Sequence, residues 1–329
     1  MSTDVELPPR LVTIGEAMVL FVNDTLGPWQ VGTQMRTAAA GAELNVALGV
    51  SALGLPAQWC GVLGEDAAGD LLVRLMRERE VDHPHLRRVP EPTGVLVRER
   101  RTALGSRVHY WRRGSAGSRL AVEDVATLTL DAGSFVHLTG ITPALSQSAS
   151  AATCSAYLRA RDAGAHVSFD VNYRSRLWSP ALAAEALAAY AMVDVLFATD
   201  AEARLLLGEP QSPALATPEE GLVLAEKLRR RGAAAAVVKL GHRGAVMHTQ
   251  DGEELYVSAP SVPVVDTVGA GDAFVAGFLA ARMQDAGAHQ CLSQAVHCGA
   301  WAVTAMGDSD CSPSPADLHD LVTSDADHR

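Results

Sequence analysis

From Ser134 onward the chain alternates short apolar runs with longer amphipathic ones, and few folds accept that pattern. "SFVHLTG" reads as a buried strand and "ALSQSASAATCSAYLRARDAG" as a helix. "HVSFDVNY" is a strand, and "SPALAAEALAAYAM" is a helix capped by Ser179 with Pro180 at its first position. "VDVLFATD" is again a strand, "AEARLLLG" a short helix and "GLVLAEKLRRRG" a longer one. "AAAVVKLGHRGAVMHT" then supplies a strand, a glycine-rich turn and another strand. A strand that returns through a helix lands parallel to its predecessor. The pattern therefore predicts an α/β fold, a mainly parallel central sheet with helices on both faces.

The N-terminal third is less regular. "RLVTIGEAMVLFV" begins as an apolar strand and runs into an alternating one, and Ala38 to Gly54 reads as a helix with Gly41 at its start and Gly54 as its stop. "AQWCGVLG" is a strand and "DAAGDLLVRLMREREV" a helix. Gly94 to Arg113 alternates polar and apolar residues on both sides of a Gly-Ser turn, which predicts a hairpin. These alternating segments, about 17–37 and 93–113, do not suit a buried parallel layer. They predict a small antiparallel β lid on a single domain spanning 10–318, with tails at 1–9 and 319–329 and a polar, fraying segment from Gly307.

Composition excludes several classes of function. Of the 329 residues 48% are hydrophobic and 20% charged, enough to bury a large core, and the formal net charge is -11. An acidic chain is poorly suited to nucleic acid or to an anionic membrane surface, although a few arginines can still bind an anionic small molecule. The sequence has no apolar run long enough to span a bilayer, and "MSTDVELPPR" lacks the apolar core of a signal peptide, so a cytoplasmic location is expected. Cys60, Cys154, Cys291, Cys298 and Cys311 are odd in number and widely spaced, which fits reduced thiols rather than a disulfide framework or a zinc site. No dinucleotide-binding GxGxxG follows the first strand.

In open α/β sheets ligands bind beyond the carboxyl ends of the strands. Polar residues collect there: Asp170, Asn172, Arg174 and Arg176 after one strand, Thr199, Asp200 and Glu202 after the next, and Lys239 with Gly241 and Gly244 after a third. The segment "DTVGAGDAF" adds Gly269, Ala270, Gly271 and Asp272 at the mouth of a long apolar helix. Free N–H groups at a helix start attract an anion, and small residues let it approach the backbone. The same dipole favours the charged form of Asp272, giving an ionised carboxylate that can take a proton. An ordinary acidic helix start is the plain alternative.

The longer pattern is more specific. "DTVGAGDAFVAGFLAA" resembles the C-terminal signature of the ribokinase-like (PfkB) sugar kinases, and "GAELNVALGVSALG" with "GVLGEDAAGD" resembles their N-terminal one. "KLGHRGA" is similar to the strand-turn before the family's nucleotide pocket, and "TDAE" sits where the family has NxxE. "HYWRRGSAGSRL", "HLTGITPALS" and "FDVNYRSRLWSP" look like segments of the family's 2-keto-3-deoxygluconate kinases. The resemblance covers nearly the whole chain and implies a ribokinase-like three-layer sandwich with the β lid.

It also implies roles. Gly269, Ala270 and Gly271 would form an anion hole and Asp272 would be the base. Gly41, Asn45, Tyr110, Arg112, Ile141 and Arg174 would bind a sugar acid, with Arg174 on its carboxylate. Thr199, Lys239, Gly241 and Gly244, with Gly269 and Gly271, would face ATP, and Glu202 would act on Mg2+ indirectly. The implied reaction is ATP-dependent phosphorylation of the terminal hydroxyl of 2-keto-3-deoxygluconate, by a homodimer or larger assembly that pairs through the lid edge. A kinase of a neutral sugar or nucleoside and a non-catalytic sugar-acid sensor are the rivals. The chain departs from the pattern at Thr199, where the family has Asn, and at Leu96, where close relatives would carry tyrosine; both leave nucleotide contacts and the sugar-acid epimer open.

Overall fold

The computed structural model describes residues 8–102, 105–305 and 312–327, with side chains as far as 321. The first third holds β1 (Arg10–Ile14), β2 (Met18–Asn23), β3 (Met35–Ala40), α1 (Ala42–Ala52), β4 (Ala57–Cys60), β5 (Val62–Gly64) and α2 (Ala67–Glu78). Next come β6 (Val81–Asp82), β7 (Arg87–Val89), β8 (Gly94–Thr102), β9 (Gly105–Trp111) and α3 (Val122–Ala126). The alternating part follows as β10 (Ser134–Thr139), α4 (Gln147–Asp162), β11 (His166–Asp170), α5 (Pro180–Ala188), β12 (Val195–Thr199), α6 (Asp200–Leu207) and α7 (Pro218–Arg229). It closes with β13 (Ala235–Lys239), β14 (Ala245–Thr249), β15 (Glu254–Val257), α8 (Ala270–Met283), α9 (Ala288–Ala302) and α10 (Pro315–Asp327).

Nine strands form the central sheet in the order β15-β14-β13-β12-β11-β10-β1-β4-β6, parallel except where β14 pairs with β13 and β15. Side chains on a strand alternate between its faces, so each central strand serves two cores. Leu11 joins the core under α1, α2, α8 and α9, while Val12 and Ile14 join the core under α4 to α7; Phe197 and its neighbours Leu196 and Ala198 divide in the same way. That is why these strands read as continuous apolar runs. The caps are local. Ser179 accepts the amide of Leu182 with Pro180 following, and Thr199 and Glu202 form a reciprocal capping box on α6.

The lid is a separate four-stranded sheet, β3-β2-β8-β9. Its outer pairs, β3/β2 and β8/β9, are antiparallel as expected. The two hairpins are joined by a parallel pairing, Met18 opposite Gly94 through Val22 opposite Arg98, because both β2 and β8 leave the main domain in the same direction. Met18, Leu20, Ala40 and Leu96 pack together on the lid face that looks into the cleft.

Four local expectations change. Ala38 to Ala40, read as the first residues of a helix, belong to β3, and α1 begins only after Gly41. "AQWCGVLG" breaks at Gly61, after which β5 leaves the main sheet to pair with β7. Gly105 and Ser106 already belong to β9, and the hairpin turn itself lies outside the described residues. The segment after Gly307 ends in the helix α10, where Ser314 and Asp317 bond to each other and Leu318 packs into the core. Cys311 and the ends of the tails lie outside the described residues. Among the described residues no helix is long and apolar enough to cross a membrane.

Phe278 anchors α8 to the sheet: its ring is 1% exposed and meets the edge of Phe197 at 5.1 Å between centroids. Phe278→Ala is expected to cost about 3–5 kcal/mol and Phe278→Leu much less, as read from chemical denaturation midpoints.

Candidate active site

The carboxyl ends of β1, β10, β11, β12 and β13 meet the lid and the start of α8 around one cleft of about 900 Å³. Every residue given a role by the resemblance lines it: Gly41, Asn45, Tyr110, Arg112, Ile141, Arg174, Thr199, Glu202, Lys239, Gly241, Gly244, Gly269, Ala270, Gly271 and Asp272. Arg176 and Asp200, also noted at strand ends, do not: Arg176 donates to the Val108 carbonyl and Asp200 accepts the Ala216 amide. Of the adjacent pair Tyr110 and Trp111, only Tyr110 faces the cleft, as strand alternation requires.

Gly269 sets up the start of α8. Its φ of 79° is left-handed, and no side chain caps the helix, so the amides of the first turn remain directed at the cleft. A Cβ on Gly271 would enter open space whose nearest heavy atom is Lys239 Nζ at 3.8 Å. The cradle therefore has room for an anionic group directly against the backbone.

Asp272 is in the first turn of α8 and receives a hydrogen bond from Asn45 Nδ2 at 2.8 Å, from a residue 227 positions earlier. Asn45 thus orients Asp272 while also lining the cleft. The turn into α1 depends on Gly41, which has φ 138° and whose Cβ would lie 2.3 Å from the Glu16 carbonyl oxygen. Loss of water at the cleft floor pushes the Asp272 carboxyl up to about 6; Asn45, Arg174 and Lys239 pull the other way, and the charge of Asp170 adds to the rise. The helix dipole was expected to dominate, but it acts over one turn and burial outweighs it. At neutral pH the group is still mostly ionised.

Lys239 is not a free cation. Its ammonium donates to Asp170 Oδ2 at 2.8 Å, across the intervening end of β12. Glu202 accepts the Tyr173 amide on one oxygen (2.7 Å) and the Thr199 amide on the other (2.8 Å). Thr199 in turn accepts the Glu202 amide, so in "TDAE" the threonine does the work of a helix cap. Arg112 is ion-paired with Glu16, which is 1% exposed and also accepts a hydrogen bond from Ser115. Arg174 pairs with no carboxylate among the described residues and is exposed at the cleft.

Four further residues of this cleft escaped the sequence reading. Glu16 follows the first strand, and a lone acid there carries no signal until Arg112 is placed beside it. Asp170 was noted at a strand end but given no role; its Oδ1 is buried and accepts no hydrogen bond among the described residues. Glu43 is fully buried, with Thr139 and Thr142 donating to Oε1 at 2.7 and 2.6 Å, and burial pushes its carboxyl up to about 7. Arg98 reaches from the lid to Asp266.

A family model for the pfkB family carbohydrate kinases matches residues 8–315, and the chain belongs to that family. It is 33% identical to a 2-dehydro-3-deoxygluconokinase of Thermoproteus tenax, over 95% of this chain and 94% of that protein. It is 31% identical to the Bacillus subtilis 2-dehydro-3-deoxygluconokinase, over 95% of both. The structure also superimposes on the 2-dehydro-3-deoxygluconokinase of Thermotoga maritima with a TM-score of 0.86 at 25% identity, covering 96% of this chain and 99% of that one. The ribokinase-like fold and the sugar kinase class follow from these matches together with the cleft.

Two titrations check the electrostatics. In the ligand-free protein, carboxyl 13C NMR should show a resonance that is absent from Asp272→Asn and titrates near pH 6; a midpoint near the usual 3.8 would refute the role given to burial. Glu43 keeps its proton in the folded chain between 4.5 and about 7, where the unfolded chain has released it. Stability should therefore fall as pH rises through that window, by on the order of 3 kcal/mol, and Glu43→Gln should flatten the dependence of Tm on pH.

Proposed function

We propose that the chain transfers the γ-phosphoryl group of ATP to the terminal hydroxyl of a keto-deoxy sugar acid, 2-keto-3-deoxygluconate in the first instance. One observation carries the substrate class: Arg174 is exposed at the cleft and forms no ion pair with a carboxylate among the described residues, while the start of α8 supplies the phosphate cradle. A sugar acid brings the carboxylate that such a guanidinium can grip through two parallel N–H donors.

The cleft fits ATP and Mg2+. The uncapped amides of Ala270 and Gly271 suit a transferring phosphate, and Lys239 and the turn at Gly241 and Gly244 line the nucleotide side. Asp170 Oδ1 is a buried acceptor with nothing bonded to it, and with Glu202 it would hold the water shell of the ion. The metal would offset the charge of the nucleotide phosphates. Asp272, aimed by Asn45, takes the proton of the attacking hydroxyl. The apolar lid face of Met18, Leu20 and Leu96 keeps water from competing for the phosphoryl group. The exposed lid residues Trp29 and Trp111, bridged by His109, suit the association of two copies through this sheet.

A second reading has its own support. Glu16 neutralises Arg112, so the sugar side of the cleft holds less positive charge than its arginines suggest, and a neutral sugar could bond to the pair.

ADP release with ATP and Mg2+ should separate the readings on a panel of 2-keto-3-deoxygluconate, its galactonate epimer, gluconate, fructose, ribose and adenosine. Turnover confined to the keto-deoxy acids is expected, with Arg174→Met lowering kcat/KM on them about 10–150-fold. Turnover confined to the neutral compounds would discard the Arg174 argument, and none on any compound would favour a sensor. Asp272→Asn should lower kcat by about 10²–10⁴-fold while leaving ATP binding near normal by calorimetry.

A further inference from the structure

The lid touches the phosphate cradle at one charged contact that the reaction above does not use. Arg98, on β8, forms a two-bond ion pair with Asp266: one guanidinium nitrogen meets Oδ2 and the other reaches Oδ1 at 2.7 Å. Both side chains are largely buried, at 13% and 3% exposure. Asp266 Oδ1 also accepts the amide of Val268 at 3.1 Å, the residue immediately before Gly269. On its other side, the Val265 and Asp266 amides bond to the Val303 carbonyl at the end of α9, at 2.7 and 3.2 Å. The segment leading into the cradle is thus tied to the main domain by its backbone and to the lid by the Asp266 side chain.

Resting on the kinase reading, we infer that Arg98 is a positioning residue, which couples the sugar-side lid to the geometry of the Gly269–Gly271 cradle. The physical reasons are two. An unpaired Asp266 carboxylate would place negative charge a few residues from the site where an anionic phosphoryl group must sit, and Arg98 cancels it. The fixed fork of a guanidinium also sets the orientation of the carboxylate, which in turn fixes the Val268 amide and the entry angle of the turn at Gly269. Leu96, two residues earlier on the same strand, faces the cleft as well, so a shift of β8 moves a wall of the sugar pocket and the cradle together.

The test compares Arg98→Met, Arg98→Lys and Arg98→Met with Asp266→Asn, each by steady-state kinetics and by amide hydrogen exchange of the ligand-free protein. Arg98→Met should lower kcat about 10–100-fold while KM for ATP moves less than about threefold, since the cradle is mis-set and the nucleotide pocket is not. Arg98→Lys should recover part of kcat. The double variant should exceed Arg98→Met alone, because no buried carboxylate is left unpaired. The Val268 amide should exchange about tenfold faster in Arg98→Met, with β10 to β13 unchanged. Exchange at Val268 equal to wild type would overturn the inference, as would kcat within about twofold of wild type or strictly additive losses in the double variant. Should Arg98→Met fail to fold, the same readings on Arg98→Lys decide. If the wild type phosphorylates nothing, the kinase reading fails, and the exchange result still decides whether Arg98 holds the loop.

Discussion

Acidic side chains crowd the edge where the parallel strands end, and the rest of the cleft is built around keeping them there. Glu16, Glu43, Asp170, Glu202 and Asp272 all line one cavity. Carboxylates facing one water-poor cavity raise one another's pKa, as Asp170 does that of Asp272 and Asp272 that of Glu43, so such a set needs compensation. The chain uses a different means for each. Arg112 pairs Glu16 and Lys239 pairs Asp170. Glu202 spends both oxygens on backbone amides, and Asp272 leans on Asn45. Glu43 accepts from two threonine hydroxyls, and burial is met by a carboxyl pushed up to about 7.

This division decides which groups remain for a ligand. Lys239 and Arg112 are occupied by internal acids, so their charge organises the cleft more than it attracts anions. What remains is Arg174 and the helix-start amides of α8. Both are directional groups on the wall of one cavity, and a ligand that carries a carboxylate as well as a phosphate acceptor satisfies both.

Much of this was legible in the sequence because it is local. The strand–helix alternation, the Ser179-Pro180 helix start and the small residues before Asp272 each depend on neighbours a few positions away, and the structure keeps them all. The strand-end rule also brought Asp170, Arg174, Thr199, Glu202, Lys239 and Asp272 to one edge. What escaped was pairing. Asn45 meets Asp272 across 227 residues and Arg98 meets Asp266 across 168, and no spacing rule encodes such partners. For the same reason the partner of Arg112 was missed, since Glu16 enters only once β1 and β9 are placed in space. The charge state of Asp272 was misjudged in its cause: the dipole is visible in sequence, whereas the loss of water is a property of the closed cleft.

The acid cluster also gives a reason for a divalent cation on the proposed reading. A nucleotide polyphosphate entering a cavity already rich in carboxylates would be repelled unless positive charge came with it. The cations nearest the cradle cannot provide that charge, because Lys239 is held by Asp170 and Arg98 by Asp266. On that reading Mg2+ would supply it, and Asp170 Oδ1, buried and unbonded among the described residues, would receive its water shell. Added positive charge would also draw the Asp272 carboxyl down from about 6, making it a weaker base once the nucleotide is bound. A loose phosphoryl-transfer transition state tolerates that, since the hydroxyl surrenders its proton late. The base therefore matters through its position, and its position is what Asn45 and the start of α8 hold fixed.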